Sequence, residues 1–189
     1  MAKGLEPQIL TEAFMAAMGQ MLEKLTGISP SEEPKVEESE IAEYDDRMRA
    51  SGVEKFNSTT YISVVNFYLN QTDMERRKTK GAMVLYFENE NMSKFLKAFG
   101  IKFPEDEDSQ SMMDAGGEVA VAVADAFKAE LARKGFADLV ASKPSNYRNN
   151  VIEGVEFSID QKTKQTVSYF YFRTKVIAAD LTMAELPRK

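Results

Sequence analysis

This 189-residue chain contains no cysteine and no histidine. Without cysteine, disulfides, thiolate metal sites and thiol nucleophiles are excluded. Without histidine there is no imidazole-assisted triad, no imidazole metal ligand and no side chain that serves as the usual general base near neutral pH. Any chemistry must come from carboxylates, amides, hydroxyls, lysine or arginine, alone or with a metal ion held by oxygen atoms. An excess of positive charge is also absent. The formal net charge is −6 and the pI is near 4.9, which argues against a nucleic-acid partner, because that needs a basic face. No apolar run approaches the roughly 20 residues of a membrane span. At the start of the chain, Glu6 and Gln8 interrupt the stretch where a secretory leader would be apolar. The expectation is a cytosolic protein that does not insert into membranes.

What is present is ordinary for a globular domain: 43% hydrophobic and 29% charged residues. The length suits one domain with a substantial core rather than two. Residues 1–189 are therefore read as a single domain, with an acidic insertion or linker at 29–50.

Along the chain, residues 5–26 predict an amphipathic helix. Pro7 suits its first turn, Leu10, Phe14, Ala17, Met18, Met21, Leu22 and Leu25 keep the helical period, and Gly27 is a stop. The methionines Met15, Met18 and Met21 read as core packing. Residues 29–46 are rich in acids and broken at the start by Pro30 and Pro34; within this linker, 37–49 reads as a short exposed helix. Residues 56–70 predict a strand apolar on both faces, 71–80 a loop, 82–87 a second strand and 88–99 a helix. An acidic loop at 104–109 leads to a long helix at 111–135. A strand at 136–141, a polar loop at 145–150 and strands at 155–159, 167–172 and 176–183 complete the pattern. Long helices beside such strands imply an α+β domain, an antiparallel or mixed sheet packed with helices.

The long helix carries the functional signal. Asp114, Glu118 and Asp125 fall on one stripe of a 3.6-residue repeat, while Ala115, Val119, Ala122, Val123, Ala126, Phe127 and Leu131 make the other faces small and apolar. A polar stripe on an otherwise buried-looking helix presents side chains to a partner. Asp114 has a second reading: near the helix start it would favour the macrodipole, and with Ser111 it resembles a capping box. Gly116 and Gly117 each cost roughly 1 kcal/mol of helix propensity relative to alanine, which points to another backbone approaching closely, either the domain's own sheet or a partner.

The segment Asp114-Ala-Gly-Gly-Glu118, with Pro144 further on, resembles the motif of the CheC, CheX and FliY family of chemotaxis phosphatases. That motif is Asp or Ser, three residues, Glu, two residues, Asn, then twenty-two residues and Pro. Val121 stands where the family has asparagine. The order of helices and strands over most of the chain also follows the family. The resemblance implies a CheX-like fold, homodimers paired through sheet edges, and a place in chemotaxis or two-component signalling. The implied partner is the receiver domain of a phosphorylated CheY-type response regulator, whose aspartyl phosphate is hydrolysed. It implies that Glu118 engages the receiver's active-site lysine, that an amide orients the attacking water, and that Mg²⁺ is carried by the receiver, leaving this chain without a cofactor of its own.

Val121 can neither donate to a phosphoryl oxygen nor accept from water, and losing one such positioning interaction costs ~10²-fold or more in rate. Asp125 is a candidate substitute, although an ionised carboxylate cannot donate and repels a phosphoryl group. Asn146, Asn149 and Asn150 follow Pro144 and are candidate sources of an amide. Two readings stand: a phosphatase with an unconventional water-positioning group, and a catalytically degenerate binding module or scaffold. Position 121 favours binding.

Overall fold

The structure, a computed structural model, describes residues 5–26, 31–98, 100–106, 108–171 and 174–189. Its first half runs α1 (Pro7–Thr26), β1 (Lys35–Glu40), β2 (Glu43–Tyr44), β3 (Arg47–Met48), α2 (Gly52–Phe56), β4 (Thr60–Tyr68), α3 (Gln71–Glu75) and β5 (Gly81–Glu88). A 3₁₀ turn at Asn89–Asn91 leads into α4 (Met92–Ala98) and α5 (Ser109–Arg133). Then come β6 (Val140–Ala141), β7 (Ser145–Arg148), β8 (Thr163–Tyr171) and β9 (Thr174–Met183).

The strands that are apolar on both faces take the middle of the sheet. The order is β1-β8-β9-β5-β4-β6, with β7 also pairing β4, and every pair is antiparallel. Odd-numbered residues of β4 and β5 (Tyr61, Val65, Phe67, Met83, Leu85, Phe87) face α1 and α5, where Phe14, Met18, Phe127 and Leu131 complete the main core. The Phe127 ring anchors it, with centroids 6.2 Å from Phe14 and 5.5 Å from Phe67. Even-numbered residues (Ile62, Val64, Val84, Tyr86) face the other way, against Met48, Ala50, Val151, Val155 and Phe157. This is the α+β architecture expected from the sequence. No helix among the described residues is long and apolar enough to cross a membrane.

Several local expectations are corrected. Residues 37–49 are not a helix: Lys35–Glu40 is an edge strand paired with β8, and a short hairpin follows. Part of the acidic linker is thus built into the sheet. Its residues are exposed, and its acids discourage a further chain from adding to the edge left open opposite β8. The loop at 71–80 opens with a short helix capped by Asn70, whose side chain accepts from the Asp73 N–H at 2.9 Å. Residues 145–148 form β7 rather than a loop. Residues 155–159 are irregular apart from the bridge of Val155 to Met48, because their job is to cover the second face. Only Val140–Ala141 of the strand expected at 136–141 pairs with β4. The Gly27 stop lies outside the described residues.

One charged group is buried in the sheet itself. Asp180 on β9 is fully buried and accepts from the Tyr86 and Thr166 hydroxyls at 2.8 and 2.6 Å. It also pairs with Lys55 and Lys164, each at 2.8 Å. Burial alone would raise its pKa, but the two ammonium groups outweigh that and hold it below the ordinary aspartate value. Asp180→Ala should therefore cost about 3–5 kcal/mol in urea unfolding, since it leaves two lysines facing a site without their counter-charge. A carboxylate with a lowered folded pKa stabilises fully above its unfolded pKa, about 3.9, and loses that contribution as pH falls through the folded value. The advantage of the wild type over Asp180→Asn should accordingly shrink below about pH 4, and an advantage that grows there would contradict this account.

Candidate functional site

Helix α5 starts at Asp108, whose Oδ1 accepts the Ser111 N–H at 2.8 Å. That backbone hydrogen bond holds the Asp108 carboxyl below its ordinary pKa. The cap is therefore Asp108, not Ser111 with Asp114. Asp114 lies more than a turn inside the helix and its side chain points to solvent. An aspartate directly before a helical run is a known cap signal, so this residue was readable and was missed.

From that start the helical repeat places Asp114, Glu118, Val121 and Asp125 on one exposed face, while Ala115, Gly116, Gly117, Val119, Ala120, Val123, Ala124 and Phe127 are buried. Even Val121 is 43% exposed. The three acids differ in what they touch. Asp114 Oδ1 accepts from Gln110 Nε2 at 2.8 Å, and Asp125 pairs with Lys128 at 3.0 Å. Among the described residues Glu118 has no hydrogen bond or ion pair of its side chain. The central carboxylate of the stripe is presented; its neighbours are already engaged.

The two glycines lie where the helix meets the sheet. A Cβ on Gly116 would stand 3.4 Å from Ser63 Oγ and 3.6 Å from the Phe87 ring, ordinary contact distances. On Gly117 it would lie 2.5 Å from Asn146 Nδ2 and 3.1 Å from Asn146 Cγ, closer than side chains tolerate. Gly117 is thus the gap into which Asn146 fits. Asn146 stands opposite Ser63 in the β4–β7 register, and Ser63 Oγ donates to its Oδ1 at 2.8 Å. What approaches the glycines is a set of side chains of the domain's own sheet, Ser63, Phe87 and Asn146, rather than a second backbone.

The other two asparagines do different work. Asn149 adopts φ 65°, and its Oδ1 accepts the Thr60 N–H at 3.1 Å while its own N–H donates to the Thr60 carbonyl at 2.7 Å. It locks the start of β4. Asn150 is exposed and bridges to Ser51. Of the three, Asn146 is the one brought to α5. Pro144 sits immediately before β7, where its missing N–H costs no ladder bond. Ser63 gave no sequence signal, since a small polar residue on an inward strand face carries no pattern.

The exposed face of α5 thus presents one carboxylate, Glu118, without a side-chain partner among the described residues. Val121 gives that face no donor or acceptor at its centre. Among the described residues no group of three or more Asp or Glu carboxylates is placed to hold a metal ion.

No family model matches this chain, and no curated protein does. Solved structures do share its fold. A CheC-like superfamily protein from Shewanella sp. PV-4 is 13% identical, covering 92% of this chain and 96% of that one, with a TM-score of 0.60. The chemotaxis protein CheX from Desulfovibrio desulfuricans is 15% identical over 93% and 99%, with a TM-score of 0.54. The CheX–CheY–BeF₃–Mg²⁺ complex from Borrelia burgdorferi gives 14% identity over 93% and 98%, at a TM-score of 0.50. The fold that the Asp114, Glu118 and Pro144 spacing led one to expect is the fold observed.

The two glycines should respond differently to a methyl group. Gly116→Ala gains helix propensity without a clash and should stabilise the protein by about 0.5–1 kcal/mol in urea unfolding. Gly117→Ala gains the same propensity but displaces Asn146 from Ser63, and should be less stable than Gly116→Ala by about 1 kcal/mol. Equal stability of the two variants would contradict the close fit of Asn146.

Proposed function

We propose that this protein docks the phosphorylated receiver domain of a CheY-type response regulator through the exposed face of α5. The observation that carries this reading is Glu118: a carboxylate at the centre of an exposed stripe, without a side-chain partner among the described residues, between acids that are already engaged. In a receiver, an aspartyl phosphate lies beside an invariably cationic lysine and a bound Mg²⁺, so a free carboxylate reaching that lysine gives both attraction and register. Mg²⁺ belongs to the receiver in this reading, and the present chain contributes none. Support comes from the shared fold of CheX structures, one of them solved as a CheX–CheY complex.

Hydrolysis of an aspartyl phosphate needs little covalent help; it needs a water held in line and the surrounding charges held still. On α5 alone the residue placed for that work is Val121, which can do neither. The helix face by itself is a docking surface. Asp125 is a poor substitute, because it pairs with Lys128 at the surface and, ionised, has no proton to donate. Self-association through the β1 edge would bring Glu37, Glu38 and Glu40 of two copies together, so pairing of copies is assigned to another surface. The cytosol, where such receivers work, is the compartment this function requires.

Glu118→Ala should weaken binding to a beryllofluoride-loaded CheY-type receiver from the same genome by at least about tenfold in isothermal titration. Asp125→Asn should leave it nearly unchanged. Binding that ignores Glu118 but collapses with Asp125→Asn would place the partner's cation elsewhere on the stripe and contradict the reading.

A further inference from the structure

Strand β7 brings an amide side chain, Asn146, against α5 at Gly117. We propose that Asn146, reaching past Gly117, is the amide that positions the attacking water on the docked receiver, so that the protein hydrolyses the aspartyl phosphate it binds. This rests on the docking reading above.

The placement comes from the two elements together. Gly117, which borders Asn146 of β7, and Val121 are one turn apart on α5. The Asn146 amide fills the space where a Gly117 side chain would be, one helical turn from Val121, where the exposed stripe presents only an isopropyl group. Asn146 is itself partly exposed. Its orientation is fixed from below by Ser63, a buried hydroxyl that donates to Oδ1 at 2.8 Å. A carbonyl oxygen has two lone pairs, so Oδ1 accepts a second hydrogen bond from water while Nδ2 donates to a phosphoryl oxygen. Asn149 and Asn150 are excluded from this role by their positions on the side of Thr60 and Ser51.

In the step itself the water oxygen forms a bond to phosphorus as the bond from phosphorus to the aspartyl oxygen breaks. The aspartate leaves with the electron pair as a carboxylate, and both water protons remain on the phosphate oxygens. Atoms and charge balance with no further reactant. Asn146 neither gains nor loses a proton; it holds water and phosphoryl group in line.

A structural reading of Asn146 is that it only ties β7 to β4, and the variants separate the two. Asn146→Asp keeps the acceptor for Ser63 and the shape of the side chain but removes the N–H donor. Asn146→Ala removes both, and Val121→Asn returns an amide from α5. The measurement is the phosphoryl lifetime on a CheY-type receiver from the same genome at saturating protein, with receiver affinity and unfolding midpoint measured alongside. The wild type should shorten the lifetime. Asn146→Asp should lose about 10²-fold of that acceleration with its unfolding midpoint unchanged, Asn146→Ala should do the same with its affinity unchanged, and adding Val121→Asn to Asn146→Ala should restore activity. Undiminished acceleration in Asn146→Ala, or failure of Val121→Asn to rescue it, overturns the assignment. A wild type that binds without shortening the lifetime overturns it too but leaves the docking reading intact, whereas absence of binding removes both.

Discussion

Helix α5 comes down onto the sheet because its inward face is too small to hold it away. With no side chains at Gly116 and Gly117, the helix backbone meets Ser63, Phe87 and Asn146 directly, and Ala120 and Ala124 continue the same line of small residues. The two glycines give up roughly 1 kcal/mol each in helix propensity, offset by the packing of Val119, Val123, Phe127 and Leu131 into the main core. This close approach fixes the rotation of the helix about its axis. Because the rotation is fixed, Asp114, Glu118, Val121 and Asp125 must face outward; turning the helix by one residue would drive Glu118 toward apolar neighbours, at a cost no surface ion pair could repay.

Carboxylates serve two opposite ends in this molecule, and their surroundings distinguish them. Asp180 is fully buried and saturated: two lysines and two hydroxyls converge on it, so it organises the second face of the sheet and is closed to any partner. Burial and then the Asp180 charge hold the Tyr86 phenol well above its ordinary pKa, which keeps the hydroxyl a donor to that cluster. Glu118 is the reverse, exposed and without a side-chain partner among the described residues. A group left unengaged while its neighbours are engaged is available for something outside the chain. The acids of β1 belong to neither class. They keep an exposed sheet edge wet, which is why the net charge of −6 says more about solubility than about the site.

The fold class and the exposed stripe were legible because both rest on apolar patterning: the 3.6-residue repeat of α5 and the two-sided apolar runs of β4 and β5. Where apolar residues are scarce, the sequence misleads. Lys35–Glu40 has every residue exposed, so it carries no alternation and resembled a linker or surface helix. Ser145–Arg148 is polar and only four residues long, so it resembled a loop. The source of the proposed water-positioning amide could be narrowed from sequence to Asn146, Asn149 and Asn150 but no further. What separates them is what each contacts, and that is set by the pairing of Ser63 with Asn146 and by the left-handed backbone of Asn149. Neither is written in local composition.

The proposed receiver-docking surface is one face of α5, flanked by β7. The most direct test maps backbone amide shifts by NMR as a beryllofluoride-loaded CheY-type receiver is added. Docking there should perturb the outward face of α5, from Asp114 to Asp125, and residues 145–148, with the β1 edge and the region around Asp180 unmoved. Perturbations concentrated on β1 and β8, with α5 silent, would contradict it.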